Sequence, residues 1–123
     1  MMYRLALTFF AVSLFPASAS AQSLNCENPK TQIDMNACAF KDYQSADAEL
    51  NAIYKQARNR LSEAGRIALR DAQRAWIKFR DNDCEAAGSQ YQGGSIRPLV
   101  VNNCLERLTR ERTAGLRFLL ENR

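Results

Sequence analysis

From Thr31 onward, apolar residues recur at steps of three or four for about 30 residues: Met35, Ala39, Tyr43, Ala46, Leu50, Tyr54, Ala57 and Leu61. That spacing lines one face of a helix. Asn28-Pro29 precedes it, and Thr31 with Asp34 three residues on forms a capping box with Asp in place of Glu. Gly65 then interrupts the pattern. A second run, with Ala68, Ala72, Ala75, Trp76 and Phe79 on one side, predicts the other arm of a helical hairpin with a tight turn. Residues 87–98, AGSQYQGGSIRP, hold three glycines and a proline without periodicity and predict the one long loop. Ser95 is placed to cap the next helix and Pro98 suits its first turn. Val101, Leu105, Leu108, Arg112, Leu116 and Leu119 then repeat at helical spacing toward the C-terminus. No alternation of the strand type appears. The expected fold is all-α, an antiparallel three-helix arrangement made of a helical hairpin plus a C-terminal helix.

Polar residues refine this picture. Arg112 interrupts the last apolar stripe, and its long side chain is expected to lie over the core edge, paired with an acid on a neighbouring helix. Asp47, Asn51, Gln73, Arg80 and Asp81 sit beside stripe positions, where hydrogen bonds and ion pairs between helices form. Trp76 and Phe79 are expected in the core. Tyr43 and Tyr54 share one side of the first helix and are expected to pack there.

Residues 1–21 have a different character: one early charge at Arg4, an apolar run over residues 5–15, then small residues ending in Ala19-Ser20-Ala21. This is the layout of a secretory signal peptide, and the run is shorter than the roughly 20 residues that a membrane span needs. The expected mature domain is 22–123, free in the periplasm or secreted, with no membrane insertion after cleavage. A lipid-anchored start at Cys26 is the rival cut, but the bulky, polar Asn25 stands where a small residue belongs.

The chain has 123 residues, 17 Lys+Arg against 13 Asp+Glu, no His and four Cys, enough for one small domain. Without His there are no Ser-His or Cys-His catalytic pairs, and the commonest metal ligand is missing. Residues 22–57 hold three Lys against five acids, whereas residues 58–123 hold 13 Lys+Arg against eight. The mild positive balance, combined with export, argues against nucleic acid as a partner. Cys26, Cys38, Cys84 and Cys104 all follow the leader, and an even count in an oxidising compartment reads as two disulfides. Three pairings are possible. Cys26 with Cys38 and Cys84 with Cys104 are favoured because each closes a short segment at a helix end, worth roughly 3 kcal/mol per loop in the chain-entropy account. No C-x-x-C spacing suggests a metal, and no cofactor is expected.

Several blocks carry a resemblance: TQIDMNACA at 31–39; ADAELN at 46–51 followed by Tyr54; AQRAWIKFRD at 72–81 with Cys84; and Gly93-Gly94-Ser95 with Pro98, Cys104-Leu105, Leu108-Thr109 and Arg112. In this order they resemble the LprI-like lysozyme inhibitor family of exported bacterial domains, over residues 31–119. The resemblance implies inhibition of lysozyme in the bacterial envelope. Asp34 stands where the family usually has Glu, and the lack of a lipid anchor would leave this member free in the periplasm.

A lysozyme cleft holds two carboxylates flanking the scissile sugar bond. A narrow, stapled segment bearing donors or a cation would block it. The loop fits that form: Gly93 and Gly94 permit a narrow tip, Ser95 offers a hydroxyl, Arg97 a charged fork, and Tyr91 an amphipathic anchor. A Cys84–Cys104 bond would tether its base and reduce the entropy lost on binding. The plainer reading is a connector whose glycines serve turns. Animal-type lysozymes are generally basic, so the acidic first helix, through Asp42, Asp47 and Glu49, is a competing contact surface. An enzyme would have to use Asp81, Asp83 and Glu85, but acids two residues apart on a helix diverge, and the chain is read as a binding protein, not an enzyme. The alternative function is a periplasmic binding or adaptor module for another envelope protein, without lysozyme inhibition.

Overall fold

The computed structural model describes residues 23–121, so the expected leader at 1–21 lies outside the described residues. Three helices follow in order: α1 (Gln32–Asn59), α2 (Glu63–Ser89) and α3 (Arg97–Glu121). The start of α1 is the expected capping box. Thr31 Oγ1 accepts from the Asp34 amide at 3.0 Å, and Asp34 Oδ2 accepts from the Thr31 amide at 3.2 Å. The break between α1 and α2 falls at residues 60–62, earlier than Gly65 suggested. Ser62 Oγ accepts from the Gly65 amide at 3.2 Å and starts α2 first, which leaves Gly65 inside the new helix. A Cβ at Gly65 would lie 3.1 Å from Leu61 Cβ, so the glycine lets the turn fold tightly.

α1 buries the face its periodicity indicates: Cys38, Ala39, Ala46, Leu50 and Ala57 are buried, with Met35, Tyr43, Tyr54 and Leu61 half-buried. α2 does not. Its buried positions are Leu69, Gln73, Arg80, Cys84 and Gly88, while Ala68, Ala72, Ala75 and Phe79 face outward. Phe79, expected in the core, is 56% exposed. The inward face carries polar residues whose tips find partners inside, so a search for apolar spacing selects the alanine face instead. α3 buries Leu108, Thr109, Thr113 and Leu116.

Cross-helix bonds set the topology. Asn36 bonds Ser95 at one end and Arg60 bonds Leu120 at the other, so α1 and α3 run parallel and α2 runs antiparallel to both. α3 packs most extensively on α1 and less on α2, while the α1 and α2 backbones approach each other at few points. The half of the bundle holding the α1–α2 turn is closed by Leu50, Ala57, Leu69 and Leu116, with Ile53, Tyr54, Leu61, Trp76 and Leu120 around them. Arg60 Nη1 donates to the Leu120 carbonyl at 2.7 Å, satisfying an acceptor in the last turn of α3.

The other half, which holds the α2–α3 loop, carries both disulfides. Cys26 is bonded to Cys38 and Cys84 to Cys104, each pair with 5.5 Å between Cα atoms. One turn beyond Cys84, Gly88 lets α3 come close: a Cβ there would sit 2.5 Å from Val101 Cγ2. Gly88→Ala should therefore cost about 1–3 kcal/mol through overpacking. Thermal denaturation should show the loss and its partial recovery in Gly88→Ala/Val101→Ala; an unchanged Tm in the single variant would contradict this contact.

Candidate functional site

α2 continues to Ser89 and α3 begins at Arg97, so the connecting loop is residues 90–96, shorter than the 87–98 that composition suggested. It is built from successive tight turns: the Tyr91 amide bonds the Gly88 carbonyl at 3.0 Å, Gly94 bonds Tyr91 at 2.9 Å, and Arg97 bonds Gly94 at 3.2 Å. Gly93 has φ +74°, in the left-handed region where a side chain is strained. Ile96 occupies the position expected of Ser95 at the start of α3, since its carbonyl accepts the Val100 amide at 3.2 Å. Ser95 lies one residue outside, where its carbonyl accepts from Asn36 Nδ2 of α1 at 2.9 Å. Pro98 falls in the first turn, where no amide hydrogen is needed.

The candidate residues divide. Tyr91, Gly93, Gly94 and Ser95 are exposed on the loop. Arg97 is turned back: its Nη2 pairs with Glu85 of α2, and its side chain lies over Gly88. Its Nε is buried with no hydrogen-bond partner among the described residues. Arg97 thus serves as a foot holding the loop to α2, and its guanidinium would have to leave Glu85 to meet another carboxylate. Asn36 and Glu85, neither of which the sequence connected with the loop, do the holding. Opposite charges at 85 and 97 flanking a glycine loop were the available signal for one; nothing marked Asn36 apart from its neighbours.

Arg80 sits at the level where the two halves meet. Its side chain is 8% exposed, and its guanidinium carbon lies 5.4 Å from the ring centre of Tyr43 and 5.2 Å from that of Trp76. Nη1 is 3.7 Å from Asp47 on α1 and 3.5 Å from Thr109 Oγ1 on α3, and Nη2 is 2.8 Å from Asp81 on α2. One side chain therefore links all three helices. Burial pushes the Tyr43 phenol above its ordinary value, opposed by the Arg80 charge. Arg112 lies over the core edge as expected, but its partner is an amide: Nε donates to Gln73 Oε1 at 2.9 Å, and burial lowers the guanidinium pKa. The acids proposed for catalysis are scattered. Asp81 belongs to Arg80, Glu85 to Arg97, and Asp83 borders a shallow groove of about 540 Å³ between α2 and α3.

Folding also sorts charge by end. The loop half, residues 23–47 and 80–108, contains five basic residues against eight acidic; the opposite half, 48–79 and 109–121, contains ten against five. Of the three α1 acids that the sequence offered as a competing surface, Asp42 and Asp47 share the loop's acidic half, whereas Glu49 falls in the opposite half, paired with Arg110 and Arg117.

A lysozyme-inhibitor model, described as lysozyme inhibitor LprI, matches residues 25–116, most of the chain. The chain belongs to the LprI lysozyme inhibitor family. It is 42% identical over 130 residues to an uncharacterized protein of Rhizobium meliloti (strain 1021), covering 95% of this chain and 94% of that protein. Among solved structures it resembles a DUF1311 family protein from Pseudomonas putida KT2440, with TM-score 0.67 and 28% identity over 80% of this chain and all of that one. The family is one of inhibitor domains, and the matched span includes both the Arg80 junction and the loop. Among the described residues no helix is long and apolar enough to cross a membrane.

Removing the junction should destabilise this LprI domain. Arg80→Ala is expected to cost about 2–3 kcal/mol, less than a fully buried broken pair because Asp47 keeps contact with water. Arg80→Lys should recover part of the loss, since it restores charge but not a flat guanidinium between rings. Urea denaturation would check this, and equal stability of Arg80→Ala and wild type would contradict it.

Proposed function

We propose that this chain is exported, loses residues 1–21 as a signal peptide, and acts in the periplasm or outside the cell by pressing its loop end into the cleft of a lysozyme. The observation that carries the reading is the short exposed turn at 90–96, fixed at its base by Cys84–Cys104, by Glu85 with Arg97, and by Asn36 with the Ser95 carbonyl. Tyr91 supplies a ring with a polar tip at the edge of the turn, 42% exposed, and the Gly93-Gly94-Ser95 tip carries no side chain larger than a hydroxymethyl group. Ser95 offers a hydroxyl toward the cleft carboxylates. Because the turn is held before binding, little ordering entropy is lost on contact.

Charge placement supports the same orientation. A basic lysozyme is attracted to the acidic loop end and repelled from the basic opposite end, so the overall positive charge of the chain does not oppose docking. Nothing in this mechanism calls for a metal, a cofactor or a bond-making group. The adaptor alternative retains the same export and the same fold but leaves the loop idle.

Ser95→Trp, which widens the tip, and Tyr91→Ala, which removes the ring, should each weaken inhibition at least about tenfold, as loss of a central contact does. The assay is lysis of bacterial cell walls by animal, goose-type and bacterial lysozymes, with circular dichroism showing that the helices persist. Full inhibition by both folded variants would remove the loop from the mechanism. Absence of inhibition by the wild-type chain against every lysozyme would favour the adaptor reading.

A further inference from the structure

The face between α1 and α2 offers a second binding surface that lysozyme inhibition does not use. Because Arg80, Trp76 and Tyr43 fill the space between these helices, their backbones stand apart and leave a furrow along the bundle. It consists of two neighbouring hollows of about 260 Å³ and 170 Å³ that share Tyr54 and Arg70 in their linings. Its lining runs along α2 from Arg80 to Glu63, about 26 Å at 1.5 Å per residue, the length of about seven extended residues. The deep side is apolar, with Leu50 buried and Tyr54 half-buried, and the exposed Asn51, whose Nδ2 donates to Asp47, has an Oδ1 that can accept from a peptide backbone.

The rim is basic. Arg58 comes from α1, and Arg66, Arg70 and Arg74 come from successive turns of α2. Arg66 and Arg70 have acidic neighbours in Glu63 and Asp71, but Arg58 and Arg74 have no acidic partner among the described residues. Asp47 and Glu63 also line the furrow, but they are paired with Arg80 and Arg66, so Arg58 and Arg74 leave it positive; above an apolar floor with a side-chain amide, these two guanidiniums are complementary to an extended acidic chain with intervening apolar residues.

We propose that this furrow binds an acidic, extended peptide segment of a second protein, independently of the loop end. Arg58 and Arg74 pair with its carboxylates, and Tyr54 packs against an apolar side chain between them. The furrow lies largely in the basic half of the bundle, so this partner is acidic where the loop's partner is basic, and both surfaces can be occupied at once.

The test uses the whole mature chain and a fluorescein-labelled octapeptide, Glu-Glu-Leu-Glu-Glu-Leu-Glu-Glu, with a version carrying Lys for every Glu as control. Fluorescence anisotropy should show saturable binding of the acidic peptide, none of the basic one, and weakening by added salt. Arg58→Glu/Arg74→Glu should reduce affinity at least about tenfold, since each exposed pair contributes up to about fivefold and reversal adds repulsion. That variant should inhibit lysozyme as well as wild type, and Ser95→Trp should bind the peptide normally, so failure here is separable from failure of the loop mechanism. The proposal is overturned if the acidic peptide does not bind, if the double variant binds it equally, or if the double variant loses lysozyme inhibition. It is also overturned if soluble peptidoglycan stem peptides, which carry the same carboxylate chemistry, bind in the furrow and the acidic octapeptide does not.

Discussion

A guanidinium between two aromatic rings governs how these three helices can meet. Arg80 cannot be withdrawn into an apolar core without partners for its charge, and it finds them on each helix at once: the Tyr43 ring and Asp47 on α1, Trp76 and Asp81 on α2, and Thr109 on α3. The size of this assembly keeps α1 and α2 apart, and α3 closes the bundle from the side, packing chiefly on α1. The furrow between α1 and α2 follows from that spacing.

The two halves on either side of Arg80 are stabilised by different physics. The half with the α1–α2 turn uses apolar contact among Leu50, Ala57, Leu69 and Leu116 and is finished by Arg60 on the end of α3. The loop half has few large buried side chains and relies on two cystines, one closing the segment before α1 and one joining α2 to α3. Covalent closure suits an end that must stay rigid while exposing glycines and polar groups, because an apolar core there would need the surface that the loop leaves open. Ion pairs reinforce the division: Glu49 on α1 meets Arg110 and Arg117 of α3 just below the junction, while Glu85 and Arg97 bind the foot of the loop.

Much of this was legible in the chain itself, and the failures have definite causes. α1 was readable from Thr31 to Leu61 because its buried face is apolar at nearly every turn and its start carries a local hydrogen-bonding signature. The cystine pairing was readable from loop length. Gln73 and Arg80 were expected to bond across helices and do, but that they form the inward face of α2, with small alanines and Phe79 facing water, was not readable. Periodicity detects apolar surface and cannot detect a polar side chain that is satisfied only by residues distant in sequence. At the loop, Tyr91, Gly93, Gly94 and Ser95 could be placed from composition. The inward turn of Arg97 depends on Glu85, twelve residues away on another helix, and only the opposite charges flanking the loop hinted at it.

On the proposed reading the preformed loop end makes the contact, and the separation of charge turns that acidic end toward a basic partner. The most direct measurement is hydrogen–deuterium exchange of the mature chain alone and saturated with lysozyme. Slowed exchange confined to the loop at 90–96 and the adjoining start of α1 is the result this account requires. Protection centred on the α1–α2 turn or along the furrow, with the loop unchanged, would contradict it.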